Sequence, residues 1–120
     1  MAKLDLNVVS KENEAQKYQV VQFKGEMDKS NNLDVREALN KFVDNYTDDF
    51  LFFDLTYFDF INSEGVGMMV SFYYKLKKAN KNLVIVAPQP RVSDVFNIIG
   101  LPKIVPIFET IDLALIELKI

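Results

Sequence analysis

The sequence predicts a small α/β domain: a mixed, mostly parallel sheet of about five strands covered by about four helices. Three observations predict it. Two short strand-like runs stand side by side near the start, separated by a mainly polar stretch. Beyond them, short apolar runs alternate with segments whose apolar residues recur at i, i+3, i+4 spacing. Strands that alternate with helices need crossover connections, which give parallel pairs with helices on the sheet faces. The 120 residues fit a single domain spanning 1–120, long enough to bury its own core.

Each element has its own signal. Asp5 to Val9 and Tyr18 to Lys24 read as strands, with Lys11 to Gln16 as the hairpin loop between them. Leu33, Val35, Leu39, Phe42, Val43 and Tyr46 recur near the helical period and predict a helix over 32–46. Phe50-Leu51-Phe52-Phe53-Asp54-Leu55 is a nearly unbroken apolar run, the pattern of a strand buried on both faces. Val66, Met69, Val70, Tyr73 and Leu76 predict a helix over 64–79. Leu83 to Ala87 is another buried strand, closed by Pro88. Val92, Val95, Phe96 and Ile99 make a short helix ended by Gly100, a residue suited to a left-handed helix terminus. Val105 to Phe108 is the last strand, and Thr110 is the N-cap expected for a helix over 111–118.

Composition removes whole classes of function. The chain has no cysteine and no histidine. It therefore has no disulfide framework, thiolate zinc site, cysteine nucleophile, Ser-His-Asp triad or histidine metal cluster. With 14 basic against 17 acidic residues, the net charge of −3 gives no basic footprint for direct nucleic-acid binding. No run approaches the roughly 20 apolar residues that a membrane span requires. The opening Met1-Ala2-Lys3-Leu4-Asp5-Leu6 turns acidic too early for a secretory signal. The expectation is a soluble cytoplasmic protein with no membrane insertion.

Sites in open α/β sheets gather at the carboxyl ends of the parallel strands. The segment that stands out there is Phe58-Asp59-Phe60-Ile61-Asn62-Ser63-Glu64-Gly65-Val66-Gly67, which joins a buried strand to the longest helix. Ser63 falls where an N-cap is expected, and Glu64 suits the positive end of the helix dipole. One reading is a cap and tight turn only. The other is that Ser63 accepts a phosphate, which the free amides of a helix N-terminus tolerate and whose charge disrupts a docked partner. In that reading Gly65 and Gly67 keep the backbone bare for a close approach.

The residues here resemble a known family. Phe23-Lys24-Gly25-Glu26-Met27-Asp28, followed by Asn31 or Asn32, is similar to the opening motif of STAS domains, which are shared by anti-sigma factor antagonists and sulfate transporters. Phe53-Asp54-Leu55 with Ile61-Asn62-Ser63-Glu64-Gly65-Val66-Gly67 is similar to their "Asp-Leu … Asp-Ser-Ser-Gly-Leu-Gly" signature. Val95-Phe96-Asn97-Ile98-Ile99-Gly100-Leu101, then Pro106 to Thr110 and Ala114-Leu115, look like the closing segments. The resemblance spans nearly the whole chain in the family's order.

The resemblance implies a non-enzymatic switch of the antagonist branch. Its partners would be an anti-sigma factor that is also a serine kinase, and a cognate phosphatase. The serine that such a kinase phosphorylates corresponds to Ser63. Unphosphorylated, the antagonist binds the anti-sigma factor and frees the sigma factor; phosphorylation ends that binding. ATP belongs to the kinase, so no cofactor is expected in this chain. Two positions depart from the pattern: the signature Asp is Asn62, and Glu64 replaces a small residue. They bear on kinase recognition and favour an alternative, a STAS regulatory or scaffold subunit of a transporter or sensory complex that is not phosphorylated. A small hydrolase is a third reading, but the chain lacks a phosphate-cradling glycine loop of the usual form.

The remaining candidates concern docking. Asp28 reads either as a partner contact beside the serine loop or as a turn residue. The helix after Ser63 carries more apolar surface than one core stripe requires. Met68, Met69 and Phe72, with Asp28, Asn62, Glu64 and Gly65, are therefore expected to line a docking face. The competing reading is a helix packed on two sides. Lys75, Lys77, Lys78 and Lys81 read as a solvated helix end favourable to the dipole.

Overall fold

The elements form in the expected order in this computed structural model, which describes residues 2–12 and 16–120. They are β1 (Leu4–Glu12), β2 (Lys17–Glu26), α1 (Asn32–Asp44), β3 (Phe50–Phe60), α2 (Ser63–Lys78), β4 (Asn82–Val86), α3 (Pro90–Ile99), β5 (Ile107–Phe108) and α4 (Ile111–Leu118). A single 3-10 turn over Leu101–Lys103 follows α3. The five strands lie in one sheet in the order β1-β2-β3-β4-β5. Only β1 and β2 are antiparallel; the other neighbours are parallel.

Strand alternation divides the core between the two sheet faces. Val21, Phe23, Leu51, Phe53, Leu55, Leu83 and Ile85 face α1, α2 and α3. Tyr18, Val20, Phe52, Val84 and Val86 face α4 through Ala114. This is why β3 reads as continuous apolar sequence: Leu51, Phe52 and Phe53 are each fully buried, on alternate sides. Phe53 sits at the centre of the larger face, with its ring 4.9 Å from Phe23 and 6.4 Å, edge-on, from Phe72. Such offset and T-shaped pairs are the favoured geometries of buried aromatics.

Two helix signals act as expected. Thr110 caps α4, its hydroxyl oxygen accepting the Leu113 amide at 3.1 Å. Gly100 ends α3 in the left-handed region at φ 91°.

Four expectations need correction. Lys11 and Glu12 belong to β1 instead of the hairpin loop, and positions 13–15 of that loop lie outside the described residues. Helix α1 stops at Asp44, so Tyr46 lies beyond it. The Tyr46 hydroxyl is used elsewhere: it donates to the Phe50 carbonyl and accepts the Gln19 amide, tying the entrance of β3 to β2. Strand β3 continues to Phe60, because its pairing with β2 persists through register shifts between Gln22 and Lys24 and between Gly25 and Glu26. Strand β5 is only Ile107–Phe108, with buried Val105 in the connection before it.

Candidate functional site

The carboxyl ends of β2 and β3 lead into the starts of α1 and α2, and a set of short contacts locks these junctions together. The Met27 amide donates to the Phe60 carbonyl at 2.9 Å. The Asn32 amide nitrogen Nδ2 donates to Glu64 Oε2 at 2.9 Å, linking the first turns of α1 and α2. Asn32 is buried, and its Oδ1 has no hydrogen-bond partner among the described residues. Glu64 is thus directed towards α1 and away from the residue it follows.

Asn62, not Ser63, caps α2. It has extended backbone, and its side-chain Oδ1 accepts the Gly65 amide at 3.0 Å. Asn and Asp cap about equally well, so Asn62 does the capping job that an Asp at this position would do. Ser63 is consequently the first helical residue. It is exposed, and its hydroxyl has no hydrogen-bond partner among the described residues. The positive end of the α2 dipole lies under it.

Gly65 is buried for an internal reason. A Cβ there would stand 2.7 Å from Ile61 Cγ1 and 3.2 Å from Met27 Sδ. The bare backbone lets the β2–α1 and β3–α2 junctions close on each other; it does not face a partner. Gly67 is the open one: it is exposed, and a Cβ added there would have no atom within 4 Å.

The expected docking strip is corrected in the same way. Met68, Met69 and Phe72 are 3%, 0% and 1% exposed. Helix α2 is packed on more than one side, by the sheet and by α1 and α3, and its second apolar edge serves α1. Beyond Ser63 and Glu64, its exposed residues are Gly67, Ser71, Tyr74, Lys75, Lys77 and Lys78. Between α1 and α2 lies a cleft of about 400 Å³ lined by Arg36, Asn40, Glu64, Gly67, Ser71 and the edges of Met68 and Phe72. Lys75 borders that side of α2, bridging Asp44 at 2.8 Å and Asn40 at 3.1 Å. Sequence reasoning missed the α1 wall of the cleft. It also missed the exposed Leu33 and Phe60, whose apolar character reads as core.

Asp28 organises its own loop. Its carboxylate accepts the Ser30 hydroxyl at 2.6 Å and the Ser30 amide at 2.7 Å, and its carbonyl accepts the Asn32 amide at 3.0 Å. The Ser30 hydrogen bonds hold this carboxyl below the usual aspartate value. Asp54 makes a similar local turn, accepting the Thr56 hydroxyl at 2.6 Å. Among the described residues, no helix is long and apolar enough to cross a membrane.

Solved structures share this architecture. An anti-sigma factor antagonist from Mycobacterium paratuberculosis superposes with a TM-score of 0.77 at 24% identity, covering 97% of this chain and 96% of that one. The anti-sigma factor antagonist SpoIIAA in its unphosphorylated form gives 0.71 at 18% identity, covering 98% of each chain. The Bacillus cell fate determinant SpoIIAA in its phosphorylated form gives 0.63 at 18% identity, covering 97% and 99%. At these identities the likeness establishes the fold. The family itself follows from the sequence: the STAS domain model matches residues 9–114, nearly the whole chain, and the protein belongs to the STAS domain family.

Proposed function

We propose that this protein is a non-enzymatic anti-sigma factor antagonist switched at Ser63. Unmodified, it binds an anti-sigma factor that carries serine kinase activity; phosphorylation of Ser63 releases that partner, and a phosphatase restores binding. The observation that carries the reading is the state of the Ser63 hydroxyl. It is exposed, it stands at the first position of α2, and Asn62 has relieved it of capping. The names of the structural neighbours point the same way, and SpoIIAA is described in both phosphorylated and unphosphorylated forms.

The physical mechanism is local. Phosphate adds about −1.5 to −2 charges to an exposed spot. The helix dipole and the free first-turn amides accommodate it, so the fold persists while the surface becomes more negative. Glu64, the next residue, adds like charge to the same rim. The docking face is the ground around Ser63: Asn62, Glu64, Gly67, exposed Leu33 and Phe60, and the Asp28 loop beside them.

The test combines binding with phosphate transfer. With the partner kinase and ATP, wild type acquires one phosphate at Ser63, found by peptide mass spectrometry, and dissociates. S63A binds as wild type and takes no phosphate. S63E binds at least about tenfold more weakly, since charge is the agent. S63E binding as tightly as wild type would refute the charge mechanism. A Ser63 that is never phosphorylated in native cells, in a protein that co-purifies with a transporter component, would move the assignment to a scaffold subunit.

A further inference from the structure

We propose that the outer edge of β1 pairs with β1 of a second copy of this chain, antiparallel about a two-fold axis at Val8, to give a continuous ten-stranded sheet. The inference rests on the sheet edge and stands apart from any role of Ser63.

The sheet has two very different edges. At one, β5 is only Ile107–Phe108, too short to template another strand. At the other, β1 is nine residues long and has a strand neighbour on one side only among the described residues. Its register with β2 is unbroken from Leu4 opposite Gly25 to Glu12 opposite Lys17. Edge strands are normally blunted by proline, bulges, inward charges or brevity. Leu4–Glu12 contains no proline, no glycine and no bulge, and Lys11 is its only basic residue. A long straight edge of this kind leaves alternate backbone amides and carbonyls facing outward.

The sequence of β1 is complementary to itself in one register. A two-fold axis perpendicular to the sheet keeps each face on its own side, so it must pass through a residue or an equivalent same-face pair. An axis at Val8, the midpoint of Leu4–Glu12, pairs the strand along its full length. Asp5 then stands opposite Lys11 of the other copy, and Lys11 opposite its Asp5. Opposite charges in direct cross-strand register are stabilising. Val8 meets Val8, and Val8 is 44% exposed, large for a β-branched apolar residue in mid-strand. An axis at Asn7 would set Lys3 against Lys11, and an axis at Val9 would leave both charges of the pair without their partners. Charge and apolar exposure therefore choose the same register.

The experiment is sedimentation equilibrium on the full chain, combined with cysteine cross-linking. The wild type is expected to dimerise reversibly, and less tightly at high salt. K11D places like charges opposite each other twice per dimer and should weaken association about tenfold. Mixing K11D with D5K restores both pairs across the interface and should give the mixed dimer in preference to either alone.

The native chain has no cysteine, so a single introduced thiol reports the register cleanly. V8C puts two thiols on the axis at the cross-strand Cα separation of about 4.5–5.5 Å, within disulfide reach. In S10C the two thiols are roughly 13 Å apart along the strands and stay reduced under the same mild oxidation. Both positions are exposed in β1, so the fold is retained. Fast cross-linking of V8C alone supports the register. A chain that stays monomeric at all concentrations in low salt overturns the proposal. So does a dimer indifferent to K11D, or one in which V8C and S10C cross-link equally.

Discussion

Replacing Gly65 and Gly67 by alanine should have opposite effects, although the two residues lie in the same helix. At Gly65 the new Cβ would stand 2.7 Å from Ile61 Cγ1, 3.1 Å from Ile61 Cδ1 and 3.2 Å from Met27 Sδ. Carbon atoms pack best at about 3.5–4.0 Å, so the closest contact is short by roughly 1 Å. The methionine sulfur can yield, but Ile61 Cγ1 sits one bond from its own Cβ, and Ile61 is 1% exposed. Relief requires the β3–α2 junction to move. Overpacking of this kind costs about 1–3 kcal/mol. The helix-propensity gain of alanine, up to ~1 kcal/mol in a helix interior, is smaller at this first-turn position. The net expectation is a loss of about 1–2 kcal/mol.

Gly67 has open space where its Cβ would go. Only propensity and unfolded-state entropy act there, and G67A should gain about 0.5–1 kcal/mol. Urea unfolding followed by far-UV circular dichroism separates the two, with melting temperatures moving a few degrees in opposite directions, roughly 4 °C per kcal/mol for a domain of this size. G65A as stable as wild type would show that the close approach of α2 to Met27 and Ile61 is not a constraint. A destabilised G67A would show that the exposed face of α2 is covered.

Two more stability effects follow from single side chains. N62A removes the cap from α2 and leaves the Gly65 amide without its partner, at a cost of about 1 kcal/mol; N62D should be close to neutral by the same urea titration. The Tyr46 hydroxyl is held above its ordinary pKa chiefly by burial, so the fold favours the neutral phenol. For a group whose pKa is raised on folding, that stability is intact below the unfolded value of about 10 and drains away as pH rises towards the folded value. Y46F leaves the Gln19 amide unpaired and should be less stable at pH 7 by about 1–3 kcal/mol. The gap to wild type should narrow above pH 10, and a constant gap through that range would contradict the burial of the phenol.

The fold was largely legible because both faces of the sheet are buried. Each parallel strand then appears as an apolar run and each helix as a 3.6-residue period, and the crossover rules assemble them. What was not legible were features set by register. The exposed Thr56, Tyr57 and Asp59 break the alternation in β3, and only its pairing with β2, through two register shifts, carries the strand to Phe60. Tyr46 has helical spacing from Phe42 but is held outside α1 by hydrogen bonds to β3 at nearby Phe50 and to β2 at Gln19, which lies far from it in sequence.

The candidate site separates in the same physical terms. Its position at the carboxyl ends of the strands follows from topology alone, and Asn62, Ser63 and Glu64 are there. The docking strip did not follow, because periodicity records how much of a helix is apolar and not how many neighbours share it. Helix α2 lies between the sheet, α1 and α3, so Met68, Met69 and Phe72 are consumed by packing. Ser63 and Asn62 show the complementary ambiguity. Either can cap a helix, and both sit at the boundary, so sequence cannot say which does. The choice is decided by backbone: Asn62 is extended at φ −102°, ψ 177°, and its oxygen reaches the Gly65 amide. That choice matters for the proposed switch, because a serine that caps its helix has its oxygen engaged with backbone, whereas one at the next position presents it to solvent. An Asn at position 62, where the signature this chain resembles has Asp, therefore keeps the arrangement that exposes Ser63 and lacks only a negative charge beside it.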